Sequence, residues 1–473
     1  AMSSPDQVLS RTLMSELYPD TTYRFNSGGE PETIPTLTHR ELVDFHRRYY
    51  HPSNAYFYTF GNIPMAENLE FISSRVLAGV DRIDPGSEVP SQPRWDKPKA
   101  AACPYAVSPE EDIERKHQVC MAWLTADILN SFEVMTLIIL EQVLMGNPAS
   151  PLYRALIDSG LGSSLCDGTG FSADMRDTMF ACGLKDIREK DVPTVETLIM
   201  ETLSTIAKTG IDRELIESAI HQIEFHRKEI TNTPYPYGIK LLLNLSGSWI
   251  HGTDPAEIIQ ITPYIDWLYG QMEKGPFLEN QIKKYFLENP HRVTFTLAPD
   301  PDMAEREEAA VREQLKQMRQ GLSADAIATI KEDAQKLEQL QMEEEDVSVL
   351  PTLALSDIPP DIQSAEAATK TDNLVCFPQP TSGIIYYSAL AGIGGVSEGL
   401  LPLVPFFCLA MSRMGTKKRD YVELTRFLDL HTGGISLSVQ ARTRYVHTDE
   451  YLPYISFFGK ALTRKQDRLF EIL

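Results

Sequence analysis

The chain has 473 residues, 42% hydrophobic and 23% charged, which suits a globular protein with more than one buried core and, at about 150 residues per domain, roughly three domains. A net charge of −22 argues against nucleic-acid binding, which needs a basic face, and is compatible with a surface that attracts basic peptides. Cys103, Cys120, Cys166, Cys182, Cys376 and Cys408 form no C-x-x-C pair, which favours a reducing compartment, and no apolar run approaches the ~18 residues of a membrane span.

Ser3-Ser4-Pro5-Asp6 reads as a helix start: a serine cap, a proline in the first turn and an acid at the positive end. Leu9, Leu13 and Leu17 then share a face with Val8 beside them, and the helix should stop near Tyr18-Pro19-Asp20. Ser27-Gly28-Gly29-Glu30-Pro31 is a turn cluster. Thr38 with Glu41 has the pattern of a capping box, and Leu42, Val43, Phe45 and Tyr49 fill the apolar side of the helix that follows. The run His46-Arg47-Arg48-Tyr49-Tyr50-His51-Pro52-Ser53-Asn54-Ala55 leads into an expected strand from Tyr56 to Phe60, then Gly61-Asn62 and an amphipathic helix from Met65 to Val80. His46 and His51 lie about 140° apart around a helix, off the face that paired metal ligands share, so their rings are expected to pack or hydrogen-bond near a helix end.

Asp81 to Lys99, with four prolines, reads as a linker. A second unit starts near Ala100, with a strand over His117–Leu124 and an apolar helix over Ser131–Met145. Gly146 should stop that helix, Ser150-Pro151 start the next, and Gly160 and Gly162 end it. Ser150 is expected to be a cap and not a nucleophile, because no G-x-S-x-G elbow surrounds it. Two short strands are expected within Phe171–Leu184, helices over Val192–Thr209 and Asp212–Ile230, and a closing strand over Arg292–Leu297. His221, Glu224 and His226 approach a metal motif, but the second histidine comes one residue late, so no metal site is expected there. Met303 to Met342 reads as a helical hairpin broken at Gly321-Leu322-Ser323, with Ser323 as a cap. Leu315, Met318, Leu322, Ile327, Ile330, Leu337 and Leu340 keep helical spacing; the competing reading is a disordered acidic run around Glu343-Glu344-Glu345-Asp346.

A third unit begins with strands over Leu374–Phe377 and Gly383–Ala391. A buried apolar helix follows through Phe406-Phe407-Cys408-Leu409-Ala410-Met411-Ser412-Arg413-Met414 and ends at Gly415-Thr416. Then come a polar turn Lys417–Asp420, a helix over Val422–Leu430, Gly433-Gly434, a strand over Ile435–Ala441 and a helix in which the sequence stops at Leu473.

Four of these segments, in order, carry a resemblance: Ser3 to Asp6, His46 to Asn62, Gly146 to Gly162, and the helix ending in Gly415-Thr416. They resemble the pitrilysin/insulinase family of zinc peptidases, and most closely its presequence-protease subfamily. The resemblance implies an α+β fold of repeated metallopeptidase-like α/β sandwich units joined by a helical hairpin linker. It divides the chain into the C-terminal part of a first, catalytic domain (1–80), a linker (81–99), a second domain (100–302), the hairpin (303–349) and the N-terminal part of a third, degenerate domain (350–473). An active copy carries His-x-x-Glu-His before the Gly-Thr; here those positions are Phe406, Leu409 and Ala410, and none can bind zinc. No catalytic, cofactor-binding or metal-binding residue is therefore expected within 1–473. Zinc would be bound upstream of Ala1, and further substrate contacts would come from beyond Leu473.

The activity the resemblance implies is zinc-dependent endopeptidase action on unfolded peptides inside a closed chamber of two halves, where zinc activates a water and the peptide adds as a strand to a sheet edge. This segment would supply scaffold and chamber wall and be inactive alone. The alternative is a non-catalytic scaffold or peptide-binding protein of the same fold. Expected partners are unfolded peptides and the missing N- and C-terminal segments of the same protein, with no nucleic acid and no membrane span. The expected compartment is the bacterial cytoplasm or, alternatively, the lumen of a mitochondrion or plastid.

Overall fold

The computed structural model describes residues 4–343, 345–362, 364–411, 413–443 and 446–473, so Ala1, Ser3, Glu344 and Ser412 lie outside the described residues. The chain divides into two compact units: 1–105, 110–300 and 381–473 form one, and 106–109 with 301–380 the other.

In the larger unit, α1 (Pro5–Leu17) buries Val8, Leu9, Leu13 and Leu17 on one face. Ser4 occupies its N-cap position, but the hydroxyl accepts no helix amide. α2 (His39–Tyr49) has the expected capping box: Glu41 N–H donates to Thr38 Oγ1 at 3.2 Å, and Thr38 N–H to Glu41 Oε2 at 2.8 Å. Its apolar side is not filled as expected, since none of its residues is buried and Leu42 is 63% exposed. Tyr56–Phe60 forms no strand, because no other segment offers it a ladder among the described residues. Its rings lie instead on a later helix: Tyr56 packs on Trp249 at 4.9 Å, Phe60 on Tyr237 at 5.9 Å, and Tyr58 Oη donates to Gly238 O at 2.9 Å. The helix expected up to Val80 is shorter: α3 (Met65–Phe71) passes into a π-helical turn at Ile72–Val76 and stops.

The principal sheet contains β1 (Lys99–Ala106), β2 (His117–Asp127), β3 (Ser164–Leu165), β4 (Gly170–Ser172), β5 (Asp177–Ile187) and β6 (Arg292–Asp300). Its order is β1-β6-β2-β5-β3, with β4 also on β5. β2 is antiparallel to both β5 and β6 and buried nearly end to end, as a strand with neighbours on both sides and layers above it should be. Gly183 is required at its place on β5: a Cβ there would come within 1.9 Å of Val119 O. Against this sheet pack α4 (Ser131–Met145), α5 (Pro151–Asp158), α6 (Val192–Thr209) and α7 (Arg213–Lys228). Trp123, Phe180 and Phe286 meet at the centre, and Trp123 Nε1–H donates to Phe286 O at 2.9 Å. α8 (Tyr237–Trp249), α9 (Pro255–Ile259), α10 (Thr262–Met272) and α11 (Phe277–Ile282) lead the chain back to β6.

The smaller unit holds α12 (Met303–Gln320) and α13 (Ala324–Met342), separated at the expected turn, with Ser323 Oγ accepting from Ala326 N–H at 3.1 Å. Neither helix buries a residue. A short ribbon of β7 (Thr369–Lys370) and β8 (Val375–Cys376) follows.

Back in the larger unit, β9 (Ile384–Gly392), α14 (Val404–Met411), α15 (Tyr421–His431) and β10 (Gly434–Thr443) run strand, helix, helix, strand, as β2, α4, α5 and β5 do apart from the short β3 and β4 that precede β5. The sequence led us to expect the last helix directly after this strand, and it does not come there. β11 (Tyr451–Leu462) intervenes and is the central strand of the order β10-β11-β9, before α16 (Gln466–Ile472). The fold is α+β.

Candidate functional site

The expected remnant of a metal helix falls on α14. Phe406, Leu409 and Ala410 offer no ligand atom, and the expected burial holds for one side only. Val404 and Cys408 are buried beside Ile393 and the sheet, while Phe406 is 69% exposed. An apolar helix needs cover on every side to be wholly buried, and among the described residues α14 is covered on one. The Gly-Thr that ends it builds a turn: Thr416 N–H donates to Arg419 O at 2.7 Å, and Thr416 Oγ1 accepts from Lys418 and Arg419 amides at 3.2 and 3.0 Å. Gly415 must lack a side chain because a Cβ would meet Arg419 O at 2.9 Å.

The other flagged residues have structural partners. His46 stacks on Tyr50 at 4.9 Å, and His51 Nδ1 accepts from Ser53 N–H at 3.1 Å. Ser150 stands at the N-cap of α5 but does not cap it; its Oγ accepts from Asn147 N–H, upstream of the helix, at 3.2 Å. His226 is exposed, its Nδ1 2.8 Å from Gln222 O, and it does not converge with His221.

His221 is different. On α7, Glu217, Ile220, His221 and Glu224 fall at i, i+3, i+4 and i+7 and so share one face. That face lines a cavity of about 370 Å³. Thr262, Ile265 and Tyr269 of α10 form the opposite wall, and Arg464 and Lys465, in the turn between β11 and α16, close it. His221 is 3% exposed, and both ring nitrogens lack a hydrogen-bond partner among the described residues. The polar groups around it are engaged. Arg464 grips Glu224 with both terminal nitrogens, at 2.9 and 2.5 Å, and Lys228 Nζ reaches the same carboxylate at 2.8 Å. Arg213 holds Glu217 at 3.2 Å, and Lys465 Nζ donates to Leu430 O at the C-terminal end of α15.

The electrostatics follow from burial and these pairs. Burial, helped by Lys465 and Arg464, pushes the His221 imidazole down to about 3, so it is neutral at physiological pH. The Arg464 hydrogen bonds, with Lys228, hold Glu224 near about 2 against the opposing effect of burial. Burial and then Arg464 bring Lys465 down to about 8.

These residues do not fit a zinc ion. Among the described residues no three or more histidine, cysteine, aspartate or glutamate side chains come together as a metal site, and Glu224 already has cation partners. No hydrolytic step is assigned to the cavity. His221 and Glu224 stand out in the sequence as a near-motif. Arg464 and Lys465, some 240 residues later, do not, and their only signal is a basic pair closing a strand.

The runs from β2 to β5 and from β9 to β10, each a strand followed by two helices and a return to the sheet, give an α+β, peptidase-like scaffold. A family model described as "Peptidase M16 inactive domain" matches residues 36–223, and one described as the associated domain of subfamily C of the same peptidase family matches residues 297–473. "Presequence protease, mitochondrial" of Xenopus laevis is 34% identical over 477 residues, 100% of this chain and 46% of that protein. "Presequence protease 1, chloroplastic/mitochondrial" of Arabidopsis thaliana is 32% identical over 486 residues, 100% of this chain and 44% of that protein. The solved peptidase M16 inactive domain from Pseudomonas fluorescens is similar with a TM-score of 0.48 and 16% identity, over 63% of this chain and 66% of that one. The chain belongs to peptidase family M16, the pitrilysin/insulinase family, in its presequence-protease subfamily. It spans about half the length of the curated relatives it matches.

Proposed function

We propose that residues 1–473 are the scaffold and chamber-wall portion of a zinc-dependent endopeptidase that degrades unfolded peptides in a closed chamber of two halves. The observation that carries this reading is the end-to-end match of the chain to presequence proteases of an animal and a plant. The metal would be held by residues that are not among these 473, which contain no His-x-x-Glu-His or His-Glu-x-x-His. In this reading 1–80 closes the catalytic domain, 81–99 links it to a second domain at 100–302, 303–349 is the linking hairpin and 350–473 opens a degenerate third domain. The strands of the principal sheet, all within 99–300, support the second of these boundaries. The names of the two relatives support an organelle interior as the compartment.

The test is zinc content and hydrolysis of an unfolded reporter peptide, measured on the protein from its natural source and on 1–473 alone. The natural protein should carry zinc and lose activity to a chelator, and 1–473 should do neither. Zinc-dependent hydrolysis by 1–473 alone would overturn the division of labour. A natural protein of this family without zinc or hydrolysis would favour the non-catalytic scaffold.

A further inference from the structure

We propose that a second cavity, between α4, α8 and α10 at the C-terminal end of α7, binds a carboxylate carried on a short aliphatic group and holds it by the guanidinium of Arg227. Three observations carry this. First, Arg227 lines this cavity of about 160 Å³ and has no ion pair and no side-chain hydrogen bond among the described residues. Its nitrogens are not among the sealed, unpartnered polar atoms of those residues, so the guanidinium stays open to a small molecule. Its neighbours in the last turn of α7 are engaged, Lys228 Nζ with Glu224 at 2.8 Å and His226 Nδ1 at 2.8 Å from Gln222 O. Burial weighs against the charge of Arg227, and the side chains that act in the other direction are the phenols of Tyr264 and Tyr237 and not a carboxylate. In a chain of net charge −22, this half-buried guanidinium lacks the planar acid that its five donors hold in a two-pronged grip.

Second, the cavity suits a small group with an apolar body. Val134 and Ile138, one turn apart on α4, and Ile258 of α9 line it with alkyl groups, and Asn244 and Ser248, one turn apart on α8, add polar edges. Its volume falls short of the roughly 300–1,000 Å³ of pockets that enclose whole ligands, so it takes a single side chain, a chain end or a short acid. The wall is set by a close approach of backbones: a Cβ on Gly247 of α8 would meet Ala173 O, in the loop between β4 and β5, at 2.4 Å.

Third, the charges leave room for one negative charge and not two. Asp174 is the one acid among the described lining residues. It is exposed, accepts from Ser172 Oγ at 3.4 Å and forms no ion pair with Arg227. One cation with an acid on the same lining disfavours a dianion such as phosphate, and the alkyl walls disfavour any anion without an apolar part. The site needs no metal and does not rest on the peptidase reading.

The test is a calorimetric titration of the purified protein with butanoate, butanamide and inorganic phosphate, and then with acetyl-leucine, whose carboxylate is a chain end, and acetyl-glutamyl amide, whose carboxylate is a side chain. Butanoate should bind saturably, and butanamide and phosphate at least tenfold more weakly. Arg227→Gln should weaken butanoate at least tenfold. Arg227→Lys, which keeps the charge and guards against a folding artefact, should weaken it only a few-fold, and Asp174→Asn, which removes the competing acid, should tighten it. The tighter of acetyl-leucine and acetyl-glutamyl amide names the source of the carboxylate as a chain end or an acidic side chain, and binding of butanoate with neither assigns the site to a free short-chain acid. Equal binding of butanoate and butanamide, phosphate as tight as butanoate, binding unchanged by Arg227→Gln, or no binding at all overturns the proposal.

Discussion

The larger unit is held together at two seams, and they treat buried polar groups differently. At the first, α1 and the linker pack on β6 and β2. Tyr18 Oη donates to Asp177 O at 2.7 Å, Gln92 N–H to Asp177 Oδ2 at 2.7 Å, and Arg94 to Asp177 Oδ1 at 2.9 Å. His291, fully buried, has its Nε2 3.0 Å from Leu17 O, its Nδ1 accepting from Trp95 N–H at 3.3 Å, and its ring stacked 3.7 Å from the Trp95 indole. At the second seam, α7 packs on α15 and β11. Glu229 takes Lys460 Nζ at 2.7 and 2.8 Å and Tyr386 Oη at 3.1 Å, and Gln222 Nε2–H donates to Thr432 O at 2.9 Å. Yet here neither ring nitrogen of His221 has a hydrogen-bond partner among the described residues. Two buried histidines in one unit, one with both nitrogens used and one with neither among the described residues, separate a latch from an unpaired group.

The largest effect should come from the apolar peg of the second seam. Phe225 is fully buried, and Gly433 approaches so closely that a Cβ on it would lie 2.1 Å from the ring. Phe225→Ala is expected to cost about 3–5 kcal/mol in urea unfolding, more than Leu13→Ala if that seam can relax into its space. Next, Glu229→Ala strands the Lys460 ammonium over Phe225, 5.3 Å from its ring centre. A loss of about 3 kcal/mol is expected, because breaking a buried pair leaves an uncompensated charge. Lys460→Met in the Glu229→Ala background should recover part of it.

A smaller effect depends on pH. Burial pushes the Asp429 carboxyl up to about 6, although Asn147 Nδ2–H donates to it at 2.8 Å. The folded value lies above the unfolded one, so the stability this group contributes is full below about pH 4 and is lost as pH rises through about 6. Asp429→Asn should therefore melt above the parent near pH 7.5 and not near pH 4. An equal difference at both would remove the carboxyl from the seam's energetics. The two histidines act in the opposite direction. Burial lowers His221 to about 3 and His291 to about 4, so their contribution is present above the unfolded value of about 6.5 and fades as pH falls toward the folded ones.

Helices with local signals were readable from the sequence. The Thr38–Glu41 box, the Ser323 cap and the Ser131–Met145 span needed only neighbours in the chain. Strands were less so, because a strand is completed by a partner elsewhere. Tyr56–Phe60 has the composition of a strand and no ladder, and β11 has a ladder on both sides but contains Pro453. That proline is tolerated because its carbonyl, and so its missing N–H, points past the end of β9, where Pro453 O accepts from Ile393 N–H at 3.1 Å. Burial at α2 and α14 was misjudged because periodicity shows which face is apolar and not what covers it. Half of the cavity was visible as the His221–Glu224 spacing. The other half arrives through β11, so its cations could not be placed beside α7 without the sheet.

The most direct measurement is one substitution made at both histidines. His291→Leu leaves Leu17 O and Trp95 N–H without their partner, and His221→Leu removes no hydrogen bond among the described residues. Urea unfolding at neutral pH should show His291→Leu destabilised by about 2–4 kcal/mol and His221→Leu unchanged or more stable than the parent. Equal losses at the two positions, or a larger loss at His221, would mean that His221 is a latch as well, and the distinction between the seams would fail.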